Sequence, residues 1–521
     1  MTQLGALPAV GVPADRVLAE IGALRAGDLP THGGRLFAYV FESAVPGLDE
    51  LASSAYALSA HVNGLDPTAF PSLLAMENAL VGAAARLLGA GPGSATPEAV
   101  GTITSGGTES ILLAVKTARD ARPEVTAPRL VVPVTAHAAF AKAAHYFGVA
   151  LDTVPVSTET LRPAPGEVAA AIGPDTVLVA CSAPSYAHGV IDPVAEIAAA
   201  AAAAGVRCHV DACFGGWTLP WLRRLGVAVP PFDFAVPGVT SISVDLHKYA
   251  YCPKGVSVLL HRDAALRAPQ YFAYADWPGY TMINPTVQST RSGGPIAAAY
   301  ATLRHLGEAG YLELARRTLG AVRDLAGIVT GVPGLRLVAE PESTVVCFTA
   351  AEPVTDAGPA LDAAGPALDV FVLADELTAR GWHTQPQLRY ADLPPNIHLT
   401  VTAGIAPRVA GFGAALREAV AAARAAGPVQ LPDEVRAMAA SLTPEALTPE
   451  LVAGLAGTLG LTAPDGPAIA GAGAGVPAGD DVGAGVPARM AVVNTLLDAA
   501  PPALRERLLI EFVALLQRPT W

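Results

Sequence analysis

The amino-acid sequence predicts an α/β fold with a mainly parallel sheet, followed by a smaller α+β domain. Three features carry this expectation. Short β-rich runs alternate with Ala- and Leu-rich helical stretches through the first two-thirds of the chain, as helices crossing between parallel strands do. Several of the runs are apolar on both faces, which a sheet covered by helices on both sides requires. From about residue 320 the alternation stops.

The candidate strands are Arg129–Val134, Leu151–Val156, Thr176–Cys181, Val206–Val210, Thr240–Val244 and Val256–Leu260. Later in the chain, Gly334–Ala339, Thr344–Thr349 and Asn396–Thr402 read as strands, and Phe371–Arg380 and Pro407–Ala426 as helices. Ala-Gly-Pro-Ala-Leu-Asp occurs at 357–362 and again at 364–369, which suggests a loop expansion. Gly-Ala-Gly-Val-Pro-Ala occurs at 473–478 and 483–488, inside a Gly/Pro/Ala-rich stretch of about 463–489 expected to be a linker. Met490–Leu516 then resumes amphipathic helical spacing, interrupted at Pro501-Pro502.

At 521 residues the chain is too long for one core of ordinary size, so at least two domains are expected. It is 52% hydrophobic and 15% charged, which excludes general disorder. The formal charge is −13 with no basic block, so nucleic acid is not an expected partner. The strongest apolar run, Ile197–Val206, is far shorter than the roughly 20 residues that span a bilayer. The N-terminus shows no secretory pattern, and five scattered cysteines without metal spacing read as free thiols. A cytoplasmic protein with neither a bound metal nor an integral membrane segment is expected.

The chemistry concentrates where strands end. Lys248 closes Ser243-Val244-Asp245-Leu246-His247-Lys248 at a strand's C-terminal edge, where open α/β sheets bind ligands. Partial desolvation there would lower its pKa and make it an amine nucleophile towards an aldehyde; the plainer alternative is a surface lysine. Asp211, in His209-Val210-Asp211-Ala212, ends another strand. A carboxylate there would keep a pyridine nitrogen protonated, as pyridoxal 5′-phosphate (PLP) needs, or would be an ordinary loop Asp. Gly106, Gly107 and Thr108 lie in Thr104-Ser105-Gly106-Gly107-Thr108-Glu109-Ser110 before a helix, where backbone N–H groups suit a phosphate monoester. His137 follows a strand and would stack on the pyridine ring, or be merely a satisfied polar residue. The order of these four elements, each after a strand, points to PLP carried as a Schiff base on Lys248.

These motifs, with His188-Gly189-Val190-Ile191-Asp192-Pro193 and Asp245–Gly255, resemble the sphingosine-1-phosphate lyase branch of the group II PLP-dependent decarboxylase superfamily. Likeness runs from about residue 30 to 425, with a fainter echo in the last thirty residues. The resemblance implies the PLP-dependent transferase fold type I and a homodimer with shared sites. It divides the chain into an arm (1–70) serving dimer and site, a large PLP domain (71–320), a small domain (321–428) and an extension (429–521). It also implies that Lys248 bonds the cofactor, Asp211 holds the pyridinium and His137 stacks. Gly106, Gly107, Thr108 and His247 would hold the phosphate, and Ser292 and Gly293 would reach the partner's cofactor. Tyr39 and Lys254 would handle the substrate's hydroxyl and phosphate.

One departure stands out: the lyases carry Asn-Pro-Leu-His-Pro where this chain has Asn63-Gly64-Leu65-Asp66-Pro67. The expected reaction is retro-aldol cleavage of a small-molecule 2-amino-3-hydroxy amine to an aldehyde and an amine. Amino-acid decarboxylation is the alternative, and a PLP-binding protein without turnover a third.

Overall fold

The computed structural model describes residues 7–351, 367–431, 433, 442–448, 451, 454 and 489–517. The expected linker up to 488 and most of the first repeat pair lie outside the described residues. The chain divides into two compact units, one of 32–349 with 398–413, the other of 1–31, 350–397 and 414–521.

The larger unit is built on a seven-stranded sheet. Its strands are β1 (Val100–Thr104), β2 (Arg129–Pro133), β3 (Ala150–Val154), β4 (Thr176–Ser182), β5 (Arg207–Asp211), β6 (Val239–Val244) and β7 (Ser257–His261), in the order β1-β7-β6-β5-β4-β2-β3. Neighbours from β6 through β3 are parallel, whereas β7 runs antiparallel to both β6 and β1. Two reversals cancel, so β1 points the same way as β5 and β6. The C-terminal ends of β1, β2, β4, β5 and β6 therefore share one edge.

Six of the seven strands fall where the sequence predicts them, within one or two residues. β1, expected before the glycine loop but given no bounds, is short and interrupted by Gly101. That glycine is a packing requirement: a Cβ there would meet Leu260 and Val81 side chains at 2.8 Å. All seven residues of β4 are buried, as are the last four of β5 and of β6, whereas β3 at the sheet edge is only partly covered. The core gathers Val179, Val210, Ile242, Val244 and Leu260 from the sheet with Ile197, Phe232 and Trp221 from its covering segments.

A short hairpin, β8 (Phe272–Tyr274) with β9 (Met282–Asn284), follows β7. The helix Gly293–Thr330 comes next, broken at Gly307 (φ 56°, ψ −175°). Four further strands, β10 (Leu335–Leu337), β11 (Val345–Ala350), β12 (Gln385–Gln387) and β13 (Asn396–Thr400), form a smaller antiparallel sheet.

In the second unit, Asp369 caps the helix Val370–Ala379 by accepting from Phe371 and Val372 N–H groups. Asp375 on that helix accepts from the N–H groups of Met490 and Ala491, at 2.8 and 2.9 Å. The terminal helices span Ala491–Ala499 and Pro502–Leu516, with the break at Pro501-Pro502 as expected. Among the described residues, no helix is long and apolar enough to cross a membrane.

Candidate active site

The shared strand edge positions the site. β1 ends at Thr104, and Ser105-Gly106 lead into the helix Gly107–Asp120. Gly107 is where the glycine is indispensable: a Cβ would lie 2.7 Å from Cys213 Sγ and 2.9 Å from both Asp245 oxygens. A Cβ at Gly106 would meet only the His247 ring, at an ordinary 3.5 Å.

Asp211 closes β5, in register with Ser182 on β4 and Ser243 on β6. It is buried, and its Oδ1 accepts from Cys213 N–H (3.0 Å) and Ser243 Oγ (3.4 Å). Ser243 is also bonded to the buried His209, which bridges Ser241 (2.9 Å) and Ser243 (3.2 Å). Burial pushes the His209 pKa down to about 4, so the ring behind Asp211 is neutral.

After β6 the chain turns tightly, with Lys248 N–H donating to Asp245 carbonyl and Tyr251 N–H to Lys248 carbonyl. The turn brings the Lys248 side chain beside that of Asp245. Its Nζ lies 3.0 Å from Asp245 Oδ2 and 5.5 Å from the centre of the Phe214 ring. Burial opposes the ammonium, but Asp245, with Cys213 and Asp211, outweighs it and holds Lys248 above the usual lysine range. The sequence reading expected the opposite sign. The correction is electrostatic: desolvation alone would lower the pKa, and a carboxylate at contact distance reverses it. Burial would likewise raise Asp245, yet Lys248, His247 and the Ser257 hydroxyl (2.6 Å) bring it below the usual carboxylate range.

A cavity of about 410 Å³ opens here, within the range of small-molecule sites. Gly106, Gly107, Thr108, His137, Asp211, His247 and Lys248 all line it, joined by Ser105, Glu109, Tyr186, Cys213, Phe214 and Asp245. His137 Nδ1 accepts from Ala139 N–H at 3.1 Å, and its ring stands edge-on to Tyr186. Tyr186 in turn stacks on His398 at 4.7 Å.

Four expected residues are not among those lining the cavity. Tyr39 is 65% exposed and holds φ 63°, which is strained for a bulky residue and recurs at functional positions. Lys254 lies 5.3 Å from the centre of the Phe41 ring, which stands edge-on to Phe214. Burial and the Lys248 charge lower the Lys254 pKa. Ser292 bridges to Asn63, and Gly293 N–H donates to Val62 carbonyl at 2.7 Å.

Asp245 and Glu109 are the residues sequence reasoning passed over. Both stood inside the quoted motifs, but their partners, Lys248 on one hand and Ser105 on the other, become visible only with the turn geometry. Phe214, Cys213 and Tyr186 carried no signal beyond adjacency.

The donor set fits PLP. Gly107 leaves a floor free of side chain at a helix start, and His247 Nδ1 is buried without a partner. A primary amine and a buried carboxylate complete the complement of an aromatic aldehyde bearing a ring nitrogen and a phosphate. Fold and site together define a PLP-dependent enzyme.

The comparisons with known proteins agree. The family model described as "Pyridoxal-dependent decarboxylase conserved domain" matches residues 35–351, and "Pyridoxal-dependent enzyme, C-terminal putative HTH domain" matches 433–515. A sphingosine-1-phosphate lyase of Oryza sativa subsp. japonica is 36% identical over 402 residues, 76% of this chain and 70% of that one. The solved sphingosine-1-phosphate lyase of Burkholderia pseudomallei is 35% identical with TM-score 0.73, covering 81% of this chain and 94% of that one. A Lactobacillus brevis glutamate decarboxylase shares the fold (TM-score 0.69, covering 81% and 96%) at 19% identity. The chain belongs to the pyridoxal-dependent decarboxylase family, as a PLP-dependent lyase related to the sphingosine-1-phosphate lyases.

Proposed function

We propose that this enzyme is a carbon–carbon lyase cleaving a 2-amino-3-hydroxy substrate, sphingosine-1-phosphate-like, to an aldehyde and an amine. The observation that carries this is graded likeness: 36% identity to a lyase across 76% of the chain, against 19% to a decarboxylase of the same fold.

When bound, PLP supplies an electron-poor ring able to take up the electrons of a bond broken at the substrate Cα. In the proposed roles, Lys248 Nζ carries the cofactor and Asp211 keeps a proton on the ring nitrogen. Gly106, Gly107 and Thr108 offer backbone N–H groups to the phosphate, with His247 Nδ1 as a further partner. His137 covers a ring face. Lys254, with its lowered pKa, would take the proton of the substrate β-hydroxyl, and Tyr39 from the 1–70 arm would orient that group. The proposal includes a cytoplasmic homodimer in which Ser292 and Gly293 reach the partner's cofactor.

A specific observation favours decarboxylation as the second reading. Asp66 Oδ1 accepts from Thr68 N–H (2.8 Å) and Thr68 Oγ (2.7 Å), and the hydroxyl bond leads in lowering its pKa. It is therefore an anion at neutral pH. If this segment meets the substrate as in the lyases, an anion there repels a phosphate dianion.

Incubating the PLP-loaded enzyme with sphingosine-1-phosphate tests the choice. A long-chain aldehyde supports the lyase; carbon dioxide released from amino acids, with no aldehyde, contradicts it.

A further inference from the structure

Glu109 is the third residue of the helix Gly107–Asp120, whose N-cap is Gly106. A glutamate there commonly reaches back to one unsatisfied N–H at the helix start. Glu109 does so: its Oε2 accepts from Ser105 N–H at 2.6 Å. Ordinary capping leaves the second oxygen to solvent. Here Glu109 is buried, and its Oε1 accepts from Val287 N–H at 2.8 Å, with Gln288 N–H at 3.5 Å, from a segment 178 residues further along.

That segment is the end of the β8–β9 hairpin, and it is firmly founded. The buried Gln270 donates to Thr102 Oγ of β1 and to Pro285 carbonyl, while its own carbonyl bonds His261 of β7. Lys116, two helical turns after Glu109, donates to the carbonyls of Pro269 and Gln270. Asn284 Oδ1 accepts from both N–H and Oγ of Thr286, fixing the turn that presents Val287. The hairpin beyond is strongly apolar and exposed, with Phe272, Trp277, Tyr280 and Ile283 all at least 43% accessible.

We infer that Glu109 is a positioning residue that locks the Ser105–Thr108 phosphate loop to the β8–β9 hairpin, so that phosphate affinity depends on a hydrogen bond made at Val287. The carboxylate occupies both of its oxygens on N–H groups, so the loop cannot shift without breaking a charge-assisted bond on one side or the other. The inference rests on the phosphate of PLP standing over Ser105–Thr108, as proposed above.

The test is the dissociation constant of PLP, and of pyridoxal lacking the phosphate, for the apoprotein and four variants. Val287→Pro removes the distal donor, and Glu109→Gln leaves one carbonyl oxygen for the two N–H groups so that one of the two bonds is lost, whereas Val287→Ala keeps the N–H and loses only an exposed side chain. Both of the first two should bind PLP about ten- to a hundredfold more weakly, bind pyridoxal unchanged, and melt as apoproteins within a few degrees of wild type. The double variant Glu109→Gln/Val287→Pro should lose no more than Val287→Pro alone, since with the distal donor gone the one carbonyl oxygen of Gln can serve Ser105 N–H. Val287→Ala should be indistinguishable from wild type. Unchanged PLP affinity in Val287→Pro, additive losses in the double variant, or an equal loss with Val287→Ala would each overturn the inference. Equal wild-type affinity for PLP and pyridoxal would instead overturn the underlying placement of the phosphate.

Discussion

Lys248 Nζ sits 3.0 Å from the buried carboxylate of Asp245, three residues before it. The pair explains why the amine is stored as an ammonium: the carboxylate raises its pKa more than burial lowers it. A nucleophilic amine therefore needs its proton removed first, and Asp245 sets how hard that is.

Replacing Asp245 by Asn should lower the Lys248 pKa, because the raising charge is gone while the desolvation remains. At a given pH more free amine is present, so the midpoint of PLP incorporation into the apoprotein should move to lower pH. Following absorbance changes on PLP addition across a pH series checks this. The variant should also be less stable at pH values where Lys248 stays an ammonium, because that charge loses its partner.

Gly107→Ala should abolish tight PLP binding, since the added methyl collides with Cys213 and Asp245. Gly106→Ala should bind within a fewfold of wild type, because its Cβ has room. Equilibrium dialysis separates the two, and equal losses would show that the sheer number of glycines, rather than the contact at 107, matters.

Asp192 supplies a pH prediction outside the cavity. Burial raises its pKa to about 7, although Ser182 N–H and Arg162 oppose this, and its Oδ1 has no partner. A folded pKa above the unfolded value of 3.8 means that this group's contribution to stability is fully present below pH 4. It falls as pH rises to about 7, where the folded carboxylate also ionises, and then levels off. The loss is on the order of a few kcal/mol. Melting temperature should decline from pH 5 to pH 8 in the wild type and decline less in Asp192→Asn.

Asp66→His probes the substrate. If the Asn63–Pro67 segment meets a phosphate, this change should raise kcat/KM for a phosphorylated amino alcohol about tenfold or more, leaving the dephosphorylated analogue unaffected. An equal effect on both would place Asp66 away from the phosphate. Loss of the Thr68 bonds is the structural cost, read separately by melting.

The parallel core was legible because β4 is an almost continuous apolar run and β2 carries Leu130, Val131 and Val132 in succession, as strands covered on both faces do. The bounds of β1 were not, since Gly101 serves a contact with Leu260 that only the folded sheet creates. At the site, Lys248, Asp211 and the glycines announced themselves by following strands. The sign of the Lys248 pKa did not, because it depends on a side-chain distance that spacing alone leaves open. Glu109 was hidden for a similar reason: its distal partner is a backbone N–H, which carries no residue-type signature. Tyr39, Lys254, Ser292 and Gly293 were named from resemblance, and the geometry of a single chain does not bring them to the cavity lining.

The most direct measurement is chemical. The enzyme loaded with PLP is reduced with borohydride, digested, and the phosphopyridoxyl group located by mass spectrometry. It should be found on the peptide bearing Lys248, and Lys248→Ala should trap none. A label on Lys254, or no label in a protein that binds PLP, would contradict the assignment of Lys248 on which the proposed chemistry depends.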